Sequence, residues 1–154
     1  MAINPALLLA AICGVESSWG EGAVTPRFEP AYYRGGAYYR LPANDWLRRL
    51  VTSYEECAAM SWGPAQVMFP TARELGFQGH PWELVDPDAC LRCAVEYLNR
   101  RTFKVWETAP RSELRPPAVS VAQAGDSYNT GNHWDAARNI RYEQDLVRAY
   151  QEAS

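Results

Sequence analysis

The chain has 154 residues and a mass of 17.3 kDa; 47% of its residues are hydrophobic and 21% charged, which fits one globular domain over residues 1–154 and excludes a disordered tail. Its net charge of -3 and pI near 5.4, with Lys and Arg scattered, leave no electrostatic footprint for nucleic acid or an anionic membrane surface. The aromatic share is 12%, with 6 Trp and 9 Tyr, many in segments that read as loops; such rings pack cores, and they also offer flat faces on which sugar rings stack.

The predicted elements are almost all helices. Asn4 caps and Pro5 opens the first, whose apolar positions Leu7, Leu8, Ala11, Ile12, Val15 and Trp19 recur at helical spacing until Gly20 stops it. Its apolar run is too short to span a bilayer, lacks a cationic start and has no clear cleavage site, so no targeting segment is expected. Residues 27–40, "RFEPAYYRGGAYYR", repeat "AYYR" around Gly35 and Gly36 with a period of neither helix nor strand, which predicts a turn-rich lobe. The second helix, "NDWLRRLVTSYEECAAM", has Asn44 as its cap and Trp46, Leu47, Leu50, Val51 and Tyr54 on one face. A third starts at Pro70, a fourth at Asp86 and Pro87, a fifth after Pro116 and Pro117, and a last runs through Tyr142, Leu146, Val147 and Tyr150. Little or no sheet is expected, and residues 107–117 read as a connection inside the domain.

Three strings carry chemistry. In "GVESSWG", Glu16 lies at a helix end among apolar neighbours, where burial disfavours the charged form and lets a carboxyl act as a proton donor near neutral pH. In "SWGPAQVMFPTARELGF", Gly63 permits a tight turn and Gln66 offers an amide able to donate to and accept from an N-acetyl group. In "GDSYNTGN", Tyr128 brings a phenol to a helix end and Asn129 begins a Gly-containing turn. Taken singly each has an ordinary structural role: a solvent-facing Glu, an exposed loop Gln, a Tyr satisfied by a backbone carbonyl. The four cysteines, Cys13, Cys57, Cys90 and Cys93, are expected to be free; Cys90 and Cys93 fall inside a helix, and His80 and His133 complete no zinc spacing, so no metal and no cofactor are expected.

In this order, "ESSW", "SWGPAQVMFPTARELGF", "SYNTGN" and "RYEQDLVRAY" resemble the lytic transglycosylase and goose-type lysozyme superfamily over about residues 5–152, interrupted by the Tyr-rich lobe. The resemblance implies a mainly α, lysozyme-like helical domain acting on peptidoglycan. It makes Glu16 the catalytic acid, Ser17 its motif neighbour, Gln66 a substrate-binding amide, and Tyr128 with Asn129 the facing pair. Pro64 and Ala65 stand where the family carries Leu-Met, and Ser127 where it carries Ala. The string "RFEP" also resembles phage-type N-acetylmuramidases, which puts Glu29 close to the cleft.

One carboxylic acid suffices for a lytic transglycosylase, which closes the muramic acid 6-hydroxyl onto C1. An inverting hydrolase needs a second, about 6.5–9.5 Å away, for which Glu29, Glu55, Glu56 and Asp126 are the candidates. Three other readings stand beside the transglycosylase: a hydrolytic muramidase on the same fold, a non-catalytic glycan-binding module, and, more distantly, a redox protein built on Cys90 and Cys93. The expected partner is the peptidoglycan strand, with no nucleic acid and no membrane insertion. The expected protein is a monomer made in the cytoplasm and acting on the cell wall, as a phage endolysin does.

Overall fold

The computed structural model describes residues 3–19, 25–104, 120–130 and 139–154. In chain order the elements are α1 (Pro5–Ser17), β1 (Arg27–Phe28), α2 (Asp45–Tyr54), β2 (Met60–Trp62), β3 (Val67–Met68), α3 (Phe69–Glu74), α4 (Pro87–Tyr97), α5 (Val121–Thr130) and α6 (Ile140–Glu152). Short 3-10 turns link several of them, and α4 runs on into a π-helical segment, Leu98–Phe103. The fold is mainly helical, as the resemblance implies. Its sheet is small and antiparallel, in the order β1-β2-β3, with Arg27 opposite Ser61 and Ser61 opposite Met68.

Helix starts follow local chemistry. The Asn4 side chain accepts from the N–H groups of Ala6 and Leu7, with Pro5 in the first turn, and Asp86 accepts from Ala89 ahead of Pro87. Each cap satisfies backbone donors that the first helical turn leaves unpaired. Helix ends depart from the sequence reading. α1 stops at Ser17, before Gly20, because Ser18 and Trp19 take left-handed φ values of 51° and 61°. Trp19 therefore leaves the helical stripe; its ring lies over Gly14, and it is 55% exposed. α2 likewise ends at Tyr54, where Glu55 has φ 50°, and residues 55–59 form a separate 3-10 turn. Asn44 occupies the cap position of α2, but its amide donates to the Tyr38 carbonyl instead. α5 begins at Val121; Pro116 and Pro117 lie outside the described residues.

The core is built of Leu8 and Ile12 from α1, Leu47 and Val51 from α2, Phe69, Leu84, Cys90 and Leu146, all nearly or fully buried. α6 packs against both α1 and α5, and Gly125 lets α5 approach so closely that a Cβ there would lie 2.2 Å from the Leu146 side chain. The Asn4 backbone N–H donates to Tyr150 Oη, tying the start of α1 to the end of α6. This packing holds the C-terminal end of α1, and Glu16 with it, against α6. The sequence around Gly35 forms the expected run of turns, in which the Tyr32 and Tyr38 rings stack 4.7 Å apart. Among the described residues no helix is long and apolar enough to cross a membrane.

Candidate functional site

A cleft of about 610 Å³ runs past the C-terminal end of α1. Glu16, Arg27 and Glu29 line it together with the loop residues Ser61 and Gln66. Tyr32, Tyr38 and Tyr97 form an aromatic stretch; Thr71, the Glu74–Arg101 ion pair, Tyr128 and Asn129 complete much of the remainder.

Glu16 is the next-to-last residue of α1, so its side chain sits at the negative end of the helix dipole. Only 6% of that side chain is exposed. Burial pushes its carboxyl above the ordinary Glu value; the Tyr142 hydroxyl and Arg27 pull the other way, and Glu29 adds a push upward. Arg27 Nη2 donates to Glu16 Oε2 at 3.2 Å, while Arg27 Nε donates to Glu29 Oε1 at 3.1 Å, so one guanidinium is shared by two carboxylates. From the protein side, the buried Tyr142 hydroxyl is close enough to favour the Glu16 carboxylate. It has no partner at full hydrogen-bonding geometry among the described residues. The phenols of Tyr142 and Tyr128 and the Cys13 thiol are all pushed upward, chiefly by burial, Cys13 to about 11.

Gln66 lines the cleft, but it is buried and its amide is committed within the protein. Its Oε1 accepts from Ser61 Oγ at 2.9 Å and its Nε2 donates to the Gly63 carbonyl at 3.0 Å, bracing the turn between β2 and β3. That turn needs Gly63: its φ is 73°, and a Cβ would lie 2.2 Å from the Leu84 carbonyl. Gln66→Ala is therefore expected to cost about 1–3 kcal/mol, because it removes two buried side-chain hydrogen bonds, leaving the Ser61 hydroxyl its longer bond to the Arg27 carbonyl and the Gly63 carbonyl its bond from the backbone N–H of residue 66. Thermal denaturation checks this, and an unchanged melting temperature would free the Gln66 amide from that bracing role.

Tyr128 Oη donates to the Ala65 carbonyl at 2.8 Å, and Asn129 Oδ1 accepts from Asn139 at 2.9 Å. Both residues line the cleft while carrying these structural bonds. Ser127 turns inward to Thr102, 3.0 Å away, which accounts for a hydroxyl where the related motif has Ala. Ser17 is buried; its hydroxyl donates back to the Cys13 carbonyl at 3.0 Å, and it is not among the cleft-lining residues. Of the other carboxylates, Glu55 pairs with Arg34, Glu56 stays outside the cleft, and Asp126 is buried, accepting from the Asn139 N–H. Glu29 alone of the four candidates reaches the cleft.

Cys90 and Cys93 are buried free thiols in the core, and the Cys90 thiol donates to the Trp62 carbonyl. Burial pushes Cys90 up to about 11, which suits a packing group and not a redox thiolate. Among the described residues no set of three His, Cys, Asp or Glu is placed to hold a metal ion; His133 lies outside them.

Sequence reasoning missed Arg27 and the site role of Tyr142. Arg27 had a readable signal: it precedes Glu29 by two, the spacing that puts side chains on one side of an extended strand. Tyr142 had none, since its nearness to Glu16 arises from packing of α6 on α1.

The mainly helical architecture with its small antiparallel sheet is that of the lysozyme-like class. The chain belongs to the transglycosylase SLT domain family, whose model matches residues 2–149. Members of that family are peptidoglycan lytic transglycosylases, and peptidoglycan is the substrate class this membership implies. No curated protein and no solved structure matches the chain.

Proposed function

We propose that the protein cleaves the β-1,4 bond between N-acetylmuramic acid and N-acetylglucosamine with Glu16 as its single acid and base. The observation that carries this reading is the burial of Glu16 at a cleft wall, which keeps a carboxyl protonated above its ordinary range.

Protonated Glu16 gives its proton to the bridging oxygen as the C1–O bond breaks, and the bond's electron pair leaves with the N-acetylglucosamine 4-oxygen. An oxocarbenium-like centre develops on the muramic acid ring. The Glu16 carboxylate then takes the proton of the 6-hydroxyl while that oxygen bonds to C1, closing a 1,6-anhydro ring. Glu16 ends protonated, and no water is consumed. In this reading Tyr32 and Tyr38 offer ring faces to the sugars, and Asn129 faces them across the cleft. Gln66 acts by shaping the wall, and Ser17 by holding the end of α1. The chain acts as a monomer on cell-wall glycan after release from the cytoplasm, as an endolysin does.

A hydrolytic muramidase is the second reading, favoured by the presence of Glu29 in the same cleft. Digestion of purified sacculi followed by mass spectrometry separates the two. Anhydro-muramic ends, lighter by one water than reducing ends and resistant to borohydride, are the expected main product. Reducing ends as the main product would overturn the transglycosylase reading and make Glu29 the first candidate for the water-activating base, with Glu29→Gln then expected to abolish hydrolysis. Binding to sacculi with no cleavage would instead identify a glycan-binding module.

A further inference from the structure

We propose that Arg27 is a positioning residue of this reaction: anchored by Glu29, its guanidinium meets the charge that Glu16 acquires on giving up its proton, and so sets the pH range in which Glu16 works. The proposal rests on the role given to Glu16 above and stands on the shared geometry of the three side chains. Arg27 belongs to β1, whose pairing with Ser61 of β2 fixes where its backbone lies. Its guanidinium reaches two carboxylates through different nitrogens, Nη2 to Glu16 at 3.2 Å and Nε to Glu29 at 3.1 Å. The two partners differ in environment. The Glu16 side chain is 6% exposed and the Glu29 side chain 35%, so Glu29 is the better-hydrated anion and Glu16 the one that burial drives toward the neutral form.

That asymmetry suits a proton donor. With Glu16 neutral, the Nε bond to Glu29 still holds the guanidinium in the cleft. As the proton leaves for the bridging oxygen, Nη2 faces a forming carboxylate, and an ion pair grows between a Glu16 side chain that is 6% exposed and an Arg27 side chain that is 55% exposed. An interaction stronger in the charged state than in the neutral one stabilises the transition state and the intermediate over the starting complex. It also makes the carboxylate available for the second proton transfer.

Other groups near Glu16 do not supply this charge. Cys13 on α1, Tyr128 on α5 and Tyr142 on α6 all interact with Glu16, but burial pushes each of them upward, so they stay neutral through the working range. Of the groups with the largest effects on Glu16, Arg27 and Glu29 are the charged ones, and they act in opposite directions.

The test is the pH profile of kcat on soluble glycan fragments for Arg27→Gln, Arg27→Lys and Glu29→Gln, beside Glu16→Gln. Loss of Arg27 is expected to lower kcat and to move the alkaline limb upward by about one pH unit, the usual size for removing one adjacent opposite charge. Glu29→Gln removes a like charge and leaves Arg27 to Glu16 alone, so its limb moves to lower pH. Arg27→Lys is expected to restore most of the limb position while recovering kcat only in part, since an ammonium cannot bridge two carboxylates through separate nitrogens. A merely structural Arg27 would change melting temperature or KM and leave the limb in place. Alkaline limbs unmoved in both Arg27→Gln and Glu29→Gln overturn the proposal. Residual activity in Glu16→Gln near the wild-type rate would instead overturn the reading beneath it.

Discussion

Replacing Glu16 by Gln is expected to reduce lytic turnover by about 10²–10⁴-fold, the usual worth of a positioned general acid, while the helical circular dichroism signal is retained. The amide keeps the shape of the side chain and can still accept from Arg27, but it has no proton of the required acidity. Stability has its own signature. Burial raises the Glu16 carboxyl above its unfolded value, so the folded protein holds the proton more tightly than the unfolded chain does. Stability from this group is then fully present below the ordinary Glu range and is lost as pH rises through the folded pKa. At neutral pH the unfolded chain has released this proton, and the folded wild type bears a cost either in holding it or in burying the charge, a cost that Glu16→Gln lacks. The variant's melting temperature is expected to match or exceed wild type at pH 7, with the difference shrinking in acid. Scanning calorimetry at the two pH values together with a lysis assay checks both halves. Lysis near the wild-type rate would remove Glu16 from the chemistry.

Gly63→Ala is expected to be strongly destabilising, because it adds a methyl group inside the turn that carries Gln66 to the cleft. At Gly63 the new Cβ would lie 2.2 Å from the Leu84 carbonyl oxygen and 2.7 Å from the Cys90 side chain, in a backbone with φ 73°. Leu84 and Cys90 are fully buried, so neither neighbour has room to move away. Overpacking and left-handed strain together are expected to cost about 3 kcal/mol, or about 6–12 °C in Tm for a chain of this length. Gly76→Ala separates the two causes. Gly76 has φ 100° but no atom within 4 Å of where the new methyl would sit, so only strain acts there and a smaller loss is expected. Equal losses at both sites would mean that the Leu84 contact relaxes freely. Because Gly63 accepts from Gln66 and opens the turn that carries it, Gly63→Ala is also expected to lower turnover beyond its effect on stability.

Much of the fold was legible because its causes act over a few residues. Asn4 with Pro5 and Asp86 with Pro87 start helices through bonds to backbone N–H groups two or three residues on, and the sequence states those neighbours directly. Leu8 and Ile12, or Leu47 and Val51, share a face because helical geometry repeats at that spacing. Gly63 announced its turn, and the position of Glu16 at a helix end among apolar residues announced a carboxyl with a raised pKa. Family membership was legible for a related reason: the order of the strings survives in the chain whatever the packing of each residue.

Where the helices stop and which groups meet at Glu16 depended on contacts that no local pattern encodes. Trp19 fits the helical stripe of α1, yet Ser18 and Trp19 turn left-handed and the ring covers Gly14 instead. Gln66 has an amide suited to a sugar, and the fold commits it to Ser61 and Gly63. Glu29, Glu55, Glu56 and Asp126 are equivalent as letters; β1 carries Glu29 to the cleft, while Arg34 and Asn139 engage Glu55 and Asp126 elsewhere. The sequence by itself determined most of the helical elements, the carboxyl at the end of α1 and the family. Only the tertiary structure decided that Arg27 and Tyr142 surround that acid, because a pKa depends on burial and on charges brought near from distant elements, and packing alone brings them there.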